Sequence, residues 1–296
     1  MRSMRIPAFA KVNLCLHVVG KRPDGYHELR TIFQTISLHD TLVLTLTRQA
    51  EIVIETNDPA LPTGRENLVW QAVDALRREL RIRSGVRVHL TKRIPVARGL
   101  GGGSSDAAAA LVGLLRLTGR KLAPARLAEI AAHLGADVPF FLFGGRALGV
   151  GRGDEVFPLP DLPARTVVVV SPRSTGVSTR DAYRWLSRRL TRRHQAHKLL
   201  RFCALCWGRQ EEPPSNDFER VVFHRHPRLA AIKRGLLQRG AAEAALAGSG
   251  SAVFGVFQSP AQARRAARGF PRDQVFVCKT LSREEYRRAQ RGLRGI

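Results

Sequence analysis

The sequence predicts a two-domain α+β protein. Three observations predict this class: the chain has 296 residues, 44% of them are hydrophobic, and segments with the two-residue hydrophobic period of strands are interspersed with helix-forming runs. The length exceeds a typical domain of about 150 residues, and the composition is too apolar for a disordered chain. We place the domains at residues 1–160 and 161–296, with the boundary at Asp161-Leu162-Pro163.

Net charge and cysteine content narrow the possible partners and location. The net charge of +25 predicts attraction to polyanions, whether nucleotides, nucleic acid or a membrane surface, although an arginine bias of the whole genome would produce the same excess. No apolar run approaches the roughly 18 residues that cross a bilayer, and four cysteines are too few for a disulfide scaffold. We therefore expect a soluble, cytoplasmic protein with no membrane partner.

The first sixty residues carry the signals of a β-sheet. Apolar residues alternate with other residues from 8 to 18, which is typical of a half-buried strand and puts Lys11 and Asn13 on one face. Residues 41–47 and 51–56 are predicted as further strands, and Pro23-Asp24-Gly25 as a turn.

Helices dominate the next part of the chain. We predict a helix over residues 67–80, a strand over 86–90 and a helix over 107–117. Pro124 suits the first turn of another helix, which Gly135 would end. The glycine-dense residues 144–153 are predicted to connect this domain to the next.

The second domain is predicted to begin with a buried strand over residues 167–170. Residues 246–257 are apolar but broken by glycines, which indicates a strand or a glycine turn. Residues 187–214 are interpreted as an arginine-rich insertion, and the chain from Ser282 onward as a charged, frayed end.

The strongest chemical signal is the glycine loop, residues 99–103, which leads directly into a helix. Glycines let backbone N–H groups approach a phosphate, and the helix adds its free N–H groups and positive dipole end. We expect Ser104 or Ser105 to cap this helix. Neither the P-loop nor the Rossmann fingerprint fits, because no Gly-Lys-Ser/Thr follows and Ser104 replaces the third glycine. The alternative is a flexible loop without a ligand.

Residues 95–108 resemble the second motif of the galactokinase, homoserine, mevalonate and phosphomevalonate kinase superfamily. Within that superfamily, residues 11–14 and 22–29 resemble the 4-diphosphocytidyl-2-C-methyl-D-erythritol kinase family. Further similar segments are residues 135–141, 149–154, 176–179, 216–219 and 248–251, so the resemblance spans nearly the whole chain.

This resemblance implies both a fold and a reaction. The fold would be an N-terminal ribosomal-S5-like sheet-and-helix domain followed by a C-terminal ferredoxin-like α/β sandwich. The reaction would be ATP-dependent phosphorylation of the 2-hydroxyl of 4-diphosphocytidyl-2-C-methyl-D-erythritol in the non-mevalonate isoprenoid pathway. ATP and Mg²⁺ would be the cofactors, and the partner would be a small-molecule substrate rather than a specific nucleic acid.

The resemblance also implies three catalytic residues. Asp137 would accept the proton of the hydroxyl, Lys11 would stabilise the transferring phosphoryl group, and Asn13 would orient the hydroxyl. Without the resemblance, Asp137 is an ordinary turn aspartate, and Lys11 and Asn13 are exposed strand residues.

Binding roles follow from the same resemblance. For the substrate, Tyr26 and His27 would bind the cytosine, Tyr183 would cover its opposite face unless it packs in the core, and Gly248 and Ser249 would lie near the phosphates. Asn67 would lie near the purine of ATP. The residues expected on the phosphates of ATP are Pro95, Val96, Ala97, Arg98, Gly99, Leu100, Gly101, Gly102, Gly103, Ser104 and Ser105.

Three alternatives remain open at this stage. The insertion contains His194, His197, Cys203 and Cys206, which could bind zinc, but their spacing differs from that of zinc fingers and an amphipathic insertion explains them as well. Another small-alcohol kinase of the superfamily would use the same glycine loop. A nucleic-acid-binding protein would use the basic charge instead, although only 6% of the residues are aromatic.

Overall fold

A computed structural model of the chain describes residues 2–187, 215–291 and 293–295. The described strands form one sheet of eight strands and one of four. The strands are β1 (Ser3–Lys21), β2 (His27–Thr47), β3 (Ile52–Thr56), β4 (Gly85–Thr91), β5 (Arg146–Gly151), β6 (Glu155–Pro158), β7 (Thr166–Pro172), β8 (Ser215–Asn216), β9 (Glu243–Leu246), β10 (Val253–Phe257), β11 (Asp273–Lys279) and β12 (Leu293–Gly295). The described helices are α1 (Leu68–Glu79), α2 (Gly102–Thr118), α3 (Pro124–Leu134), α4 (Phe140–Phe143), α5 (Thr179–Ser187), α6 (Glu219–Arg225), α7 (Pro227–Gln238), α8 (Pro260–Ala267) and α9 (Arg283–Gln290).

The larger sheet is built around the long antiparallel pair β1 and β2. Its main order is β12-β1-β2-β4-β3, while β5 pairs with the first half of β2 and β8 pairs in parallel with β1. The register of β1 and β2 shifts between Phe9 and Lys11 and again between Asn13 and Cys15. Because such irregularities re-aim side chains, the segment that carries Lys11 and Asn13 differs locally from a regular strand.

Helices α1 and α2 pack on one face of the larger sheet, and α3 packs against these two helices. Helix α2 is the central one, because its alanine-rich residues are fully buried against the apolar side chains of β1, β2 and β4. Small side chains allow the helix to approach the sheet closely: a Cβ on Gly113 would lie 3.0 Å from Leu44 Cδ1. This close packing sets the distance between α2 and the sheet.

The smaller sheet has the order β11-β7-β10-β9 and is fully antiparallel. Helices α5, α6, α7 and α8 contribute the apolar side chains that cover one of its faces. The other face packs against the larger sheet through a shared cluster in which Val12 and Leu100 meet Val169 and Phe254. The two sheets therefore share a buried interface, and the predicted boundary at Asp161 lies in the segment that joins them.

Most of the predicted elements are confirmed, although β2 begins at His27 rather than at residue 41 and α2 begins at Gly102 rather than at residue 107. Helix α3 begins at Pro124 and is followed by Gly135, as predicted. Residues 144–153 are wrongly predicted as a connection, because β5 lies there and pairs with β2. The glycine content that favours a loop instead serves close packing, since a Cβ on Gly149 would lie 2.5 Å from the ring of Phe33.

The end of the chain is also wrongly predicted. The described residues after Ser282 form regular structure: Ser282 and Glu285 form a capping box at the start of α9, and the backbone of β12 pairs with β1. The charged surface of α9 conceals the buried Tyr286, whose hydroxyl donates to Phe141 O.

His194, His197, Cys203 and Cys206 lie outside the described residues. Among the described helices, none is both long and apolar enough to cross a membrane.

The short strand β8 is anchored to β1 by Asp217. Asp217 Oδ2 accepts a hydrogen bond from Val18 N at 2.8 Å, and Asp217 Oδ1 lies 3.5 Å from His17 Nδ1. Burial disfavours the charged imidazole, but Asp217 and Cys15 outweigh this effect and raise the pKa of His17 to about 9. The charged form of His17 therefore stabilises the folded chain.

This anchor predicts a pH dependence of stability. Since the pKa of His17 rises from 6.5 to about 9 on folding, its contribution is complete below pH 6.5 and is lost as the pH rises through 9. We expect the free energy of unfolding of the wild type to fall between these pH values, and that of His17→Gln to fall much less. Chemical denaturation at a series of pH values measures both. Equal losses in the two proteins would contradict the assignment.

Candidate active site

A concave site lies between the first lobe, which is the larger sheet with its helices, and the second lobe, which is the smaller sheet with its helices. It is a cavity of about 1270 Å³. The first lobe contributes the glycine loop, β1 and the turn before α4, and the second lobe contributes α5 and the turn between β9 and β10. Residues that are far apart in the sequence, from Lys11 to Ser249, therefore line the same cavity.

The glycine loop forms the end of this cavity at the start of α2. Gly101 is the N-cap of α2 and has φ of 71°. Because α2 begins here, the N–H groups of its first turn have no intrahelical acceptor. Gly102, Gly103 and Ser104 line the cavity at this turn. The prediction of a serine cap is wrong, because Ser104 and Ser105 lie inside the helix and no side chain caps it. The free backbone N–H groups of this turn therefore offer donors to an anion.

Two backbone contacts join the glycine loop to its surroundings. Lys11 N donates to Leu100 O at 3.0 Å, which ties the loop to β1, and Ala252 N donates to Arg98 O at 3.1 Å, which ties it to the second lobe. Gly99 has φ of 80°, and a Cβ there would lie 1.9 Å from Ala247 O. Glycine is therefore required at this position by both conformation and space.

The rest of the predicted phosphate segment divides into two groups. Pro95, Val96 and Ala97 line the mouth of the cavity. Arg98 also lines it, but its guanidinium is already engaged: it donates to Thr175 O and, at 2.8 Å, to Ser251 Oγ. In this structure the Arg98 side chain therefore links the two lobes.

Beneath the glycine loop lies a buried charged cluster that the sequence reasoning missed. Lys92 Nζ lies 2.5 Å from Asp40 Oδ2 and 2.6 Å from Asp106 Oδ2. Burial opposes the charge of Lys92, but the carboxylates of Asp106 and Asp40 outweigh it and raise its pKa. Burial and the nearby Asp40 raise the pKa of Asp106 despite Lys92. An aspartate within a run of alanines was the available signal, because a buried carboxylate requires a partner.

The three predicted catalytic residues are adjacent. Lys11 and Asn13 are almost fully buried, so their alternative interpretation as exposed strand residues is wrong. Lys11 Nζ donates to Asn13 Oδ1 at 2.8 Å and lies 3.4 Å from Asp137 Oδ2. Asn13 Nδ2 donates to Thr31 Oγ1 at 2.7 Å. Asp137 lies in the turn between α3 and α4, and its side chain is 33% exposed to the cavity.

The predicted base-binding residues lie at the opposite end of the cavity. His27 stacks on Tyr183 with ring centroids 4.8 Å apart, and Tyr183 also meets the ring of Phe218 edge-on. Tyr183 is thus both a core residue and a cavity residue, and His27 covers one of its faces. The ring of Tyr26 is 56% exposed, with the guanidinium of Arg152 5.0 Å from its centroid.

Burial shifts the pKa values of two titratable side chains at this end of the cavity. Burial raises the pKa of Tyr183, and the charge of Asp137 adds to the effect. Burial, together with the charge of Lys21, lowers the pKa of His27. The imidazole of His27 is therefore neutral near pH 7. Its Nε2 lies 2.6 Å from Ser187 Oγ, which itself donates to Tyr183 O, so Nδ1 is the ring nitrogen left to accept a hydrogen bond from a ligand.

Asn67, Gly248 and Ser249 also line the cavity, whereas Ser105 is fully buried and does not, so its predicted contact with phosphate is wrong. Asn67 is the N-cap of α1, where its Oδ1 accepts from Val69 N at 2.8 Å, so its side chain already has a structural role. Gly248 N donates to Asn13 Oδ1 at 3.1 Å, and Ser249 Oγ lies 2.9 Å from Thr179 Oγ1. The turn that contains Gly248 therefore contacts the predicted catalytic residues directly.

This arrangement suits phosphoryl transfer to an alcohol. Free helix amides and a buried ammonium group can hold and neutralise a phosphoryl group, and a partly exposed carboxylate beside them can accept a proton. The opposite end of the cavity offers an exposed aromatic face and a neutral imidazole, which suit a nucleobase.

Comparison with known families gives two matches along the chain. Residues 67–145 match the model of the GHMP kinases N terminal domain, and residues 190–274 match that of the GHMP kinases C terminal domain. The 4-diphosphocytidyl-2-C-methyl-D-erythritol kinase of Solibacter usitatus is 49% identical over 97% of this chain and 91% of its own length. The enzyme of that name from Pelotomaculum thermopropionicum is 41% identical over 93% of this chain and 97% of its own length.

Solved structures agree in fold. A crystal structure of 4-(cytidine 5'-diphospho)-2C-methyl-D-erythritol kinase superposes with a TM-score of 0.78 at 37% identity, covering 94% of this chain and 99% of that one. Homoserine kinase from Cytophaga hutchinsonii superposes with a TM-score of 0.76 at 19% identity over 95% of both chains. The second likeness shows the fold alone.

The packing of the glycine loop predicts opposite effects of two alanine substitutions. Gly99→Ala forces a Cβ against Ala247 O and should destabilise the chain by about 1–3 kcal/mol. Gly103→Ala meets nothing closer than 3.7 Å and stands in a helix, so it should be neutral or stabilise by up to about 1 kcal/mol. Denaturant unfolding without nucleotide measures both. A Gly99→Ala protein as stable as the wild type would rule out this packing.

Proposed function

The chain belongs to the 4-diphosphocytidyl-2-C-methyl-D-erythritol kinase family, and from this premise we propose how its residues carry out the reaction. Within the GHMP kinase superfamily it is a phosphotransferase with an alcohol acceptor. The reaction is ATP-dependent phosphorylation of the 2-hydroxyl of 4-diphosphocytidyl-2-C-methyl-D-erythritol, a step in making isoprenoid precursors without mevalonate. The site residues named below are our assignments.

One observation carries the proposal for the chemistry. A buried ammonium, Lys11 Nζ, lies 2.8 Å from Asn13 Oδ1 and 3.4 Å from Asp137 Oδ2, at the strand that also binds the glycine loop. We assign Asp137 as the acceptor of the hydroxyl proton. The hydroxyl oxygen then bonds to the γ-phosphorus, and the bond from that phosphorus to the bridging oxygen of ADP breaks.

Lys11 and Asn13 support this transfer in different ways. Lys11 carries a fixed positive charge where negative charge develops on the transferring group, and its burial strengthens that interaction. Asn13 holds the ammonium through Oδ1 and is held in turn by Thr31, which leaves little freedom for either side chain. The loop amides at Gly102, Gly103 and Ser104 are assigned to the phosphates of ATP.

We propose Mg²⁺ as the companion of ATP at the same end of the cavity. Within the described residues, no set of three or more His, Cys, Asp or Glu side chains could hold a metal ion. Magnesium usually needs only one or two carboxylates besides phosphate oxygens. Asp106 lines the cavity, and its buried Oδ1 has no hydrogen-bond partner. Asp106 and Ser104 would hold Mg²⁺ there, and the bound ion would neutralise phosphate charge.

For the cytidyl end, we propose that Tyr26 supplies the stacking face and His27 contacts the polar edge of the base. The Tyr26 ring is exposed to the cavity, whereas the face of Tyr183 is occupied by His27. Tyr183 would therefore support His27 from behind, and its own contact with the base would require His27 to move.

The low cysteine content supports a cytoplasmic location for this enzyme.

The proposed base predicts a large loss of turnover in Asp137→Asn. The amide cannot accept the proton, so kcat should fall by about 10²–10⁴-fold. Turnover is measured with ATP and the cytidyl substrate. Asp74→Asn, in an ion pair on the surface of α1, is the matched control and should keep full activity. Retained activity in Asp137→Asn would remove the proposed base.

The proposed stacking face predicts a split between two variants of Tyr26. Tyr26→Leu loses the aromatic face, which is worth about 1–3 kcal/mol, so the KM for the cytidyl substrate should rise by roughly 5–150-fold. Tyr26→Phe keeps the ring and should change that KM far less. The KM for ATP should stay constant in both. Equal changes in the two variants would show that stacking is not the function of this ring.

A further inference from the structure

Asn216 has every strong hydrogen-bonding group of its side chain engaged although it lies in a strand of only two residues. Its Nδ2 donates to Leu246 O at 2.8 Å and to Gly248 O at 2.7 Å. Its Oδ1 accepts from Phe218 N at 2.9 Å. The residue is 7% exposed, so these three bonds replace water entirely. The side chain thus fixes both carbonyls at the start of the turn between β9 and β10.

The same turn is bonded to the proposed catalytic residues. Gly248 N donates to Asn13 Oδ1 at 3.1 Å, and that oxygen also accepts from Lys11 Nζ at 2.8 Å. Asn13 Oδ1 therefore has two donors, one from the turn and one from the ammonium. A shift of Gly248 would change the position of Asn13 and, through it, that of Lys11.

Asn216 is also fixed to the strand that carries these residues. Strand β8 pairs with β1 so that Asn216 stands opposite Leu16, three residues after Asn13. Asp217 strengthens this pairing by accepting from Val18 N. The amide of Asn216 therefore holds Gly248 at a fixed position relative to β1, the strand that carries Asn13 and Lys11.

We propose that Asn216 is a positioning residue for phosphoryl transfer, which holds Gly248 so that its N–H orients Asn13 and Lys11 toward the acceptor hydroxyl. The proposal rests on the function assigned above. It differs from a purely structural role because the bonds run through one backbone group, Gly248, into the pair of side chains beside Asp137. Ground-state binding of either substrate does not require this alignment, whereas transfer does.

The test is Asn216→Asp, which keeps the shape of the side chain and an oxygen for Phe218 N but lacks both N–H donors. We expect kcat to fall at least about tenfold while the KM values for ATP and the cytidyl substrate stay within about threefold. An unchanged kcat would overturn the proposal. If this variant does not fold, Asn216→Ser, whose hydroxyl can still accept from Phe218 N, should show the same split.

A double variant separates positioning from general weakening of the fold. If Asn216 acts through Asn13, then Asn216→Asp combined with Asn13→Ala should have a kcat within about twofold of Asn13→Ala alone. Multiplied losses would mean that Asn216 acts by another route and would overturn the proposal. Val222→Ala, in the buried face of α6, controls for lost stability and should keep the wild-type kcat, because its side chain makes none of the hydrogen bonds that hold the turn.

Failure of this inference is distinguishable from failure of the assigned function. A wild-type protein that does not phosphorylate the cytidyl substrate, or an active Asp137→Asn, would refute the function. An active wild type and inactive Asp137→Asn, together with an unaffected Asn216→Asp, would refute the role of Asn216 alone.

Discussion

The contact between the glycine loop and the turn at residues 247–250 is the constraint on which the active site depends. Gly99 and Ala247 are so close that no side chain fits between them, and Ala252 N binds Arg98 O across the same joint. The loop is also bonded to β1 through Leu100. Three segments that are far apart in the sequence, namely β1, the glycine loop and the turn at 247–250, therefore meet at one place in the structure. Backbone contacts therefore align the glycine loop, the strand that carries Lys11 and Asn13, and the second lobe.

The buried lysines beside the cavity are each paired with side chains of opposite charge. Lys11 is paired with Asp137 and Lys92 with Asp40 and Asp106, and both ammonium groups are almost entirely shielded from water. An unpaired charge at either position would oppose folding. Pairing instead lets positive charge stand close to where a phosphoryl group would pass, so the stability of the first lobe and the chemistry of the cavity use the same side chains.

Local patterns were sufficient for part of this architecture. The alternation in β1, the proline at the start of α3 and the glycine loop before α2 are signals within a few residues, and the structure confirms them. The partners of Lys92 lie 14 and 52 positions away, the carbonyls bound by the Asn216 amide lie 30 and 32 positions away, and β12 returns to β1 from the other end of the described chain. No local period encodes such contacts. Gly149 of β5 misled for the same reason, since its neighbour Phe33 comes from β2.

The most direct measurement of the central claim is a crystal structure of the chain with a non-hydrolysable ATP analogue and Mg²⁺. The account predicts phosphate oxygens at hydrogen-bond distance, about 2.7–3.2 Å, from the backbone nitrogens of Gly102, Gly103 or Ser104, with Asp137 facing the γ-phosphate. Phosphates bound elsewhere in the cavity, away from these amides, would contradict it.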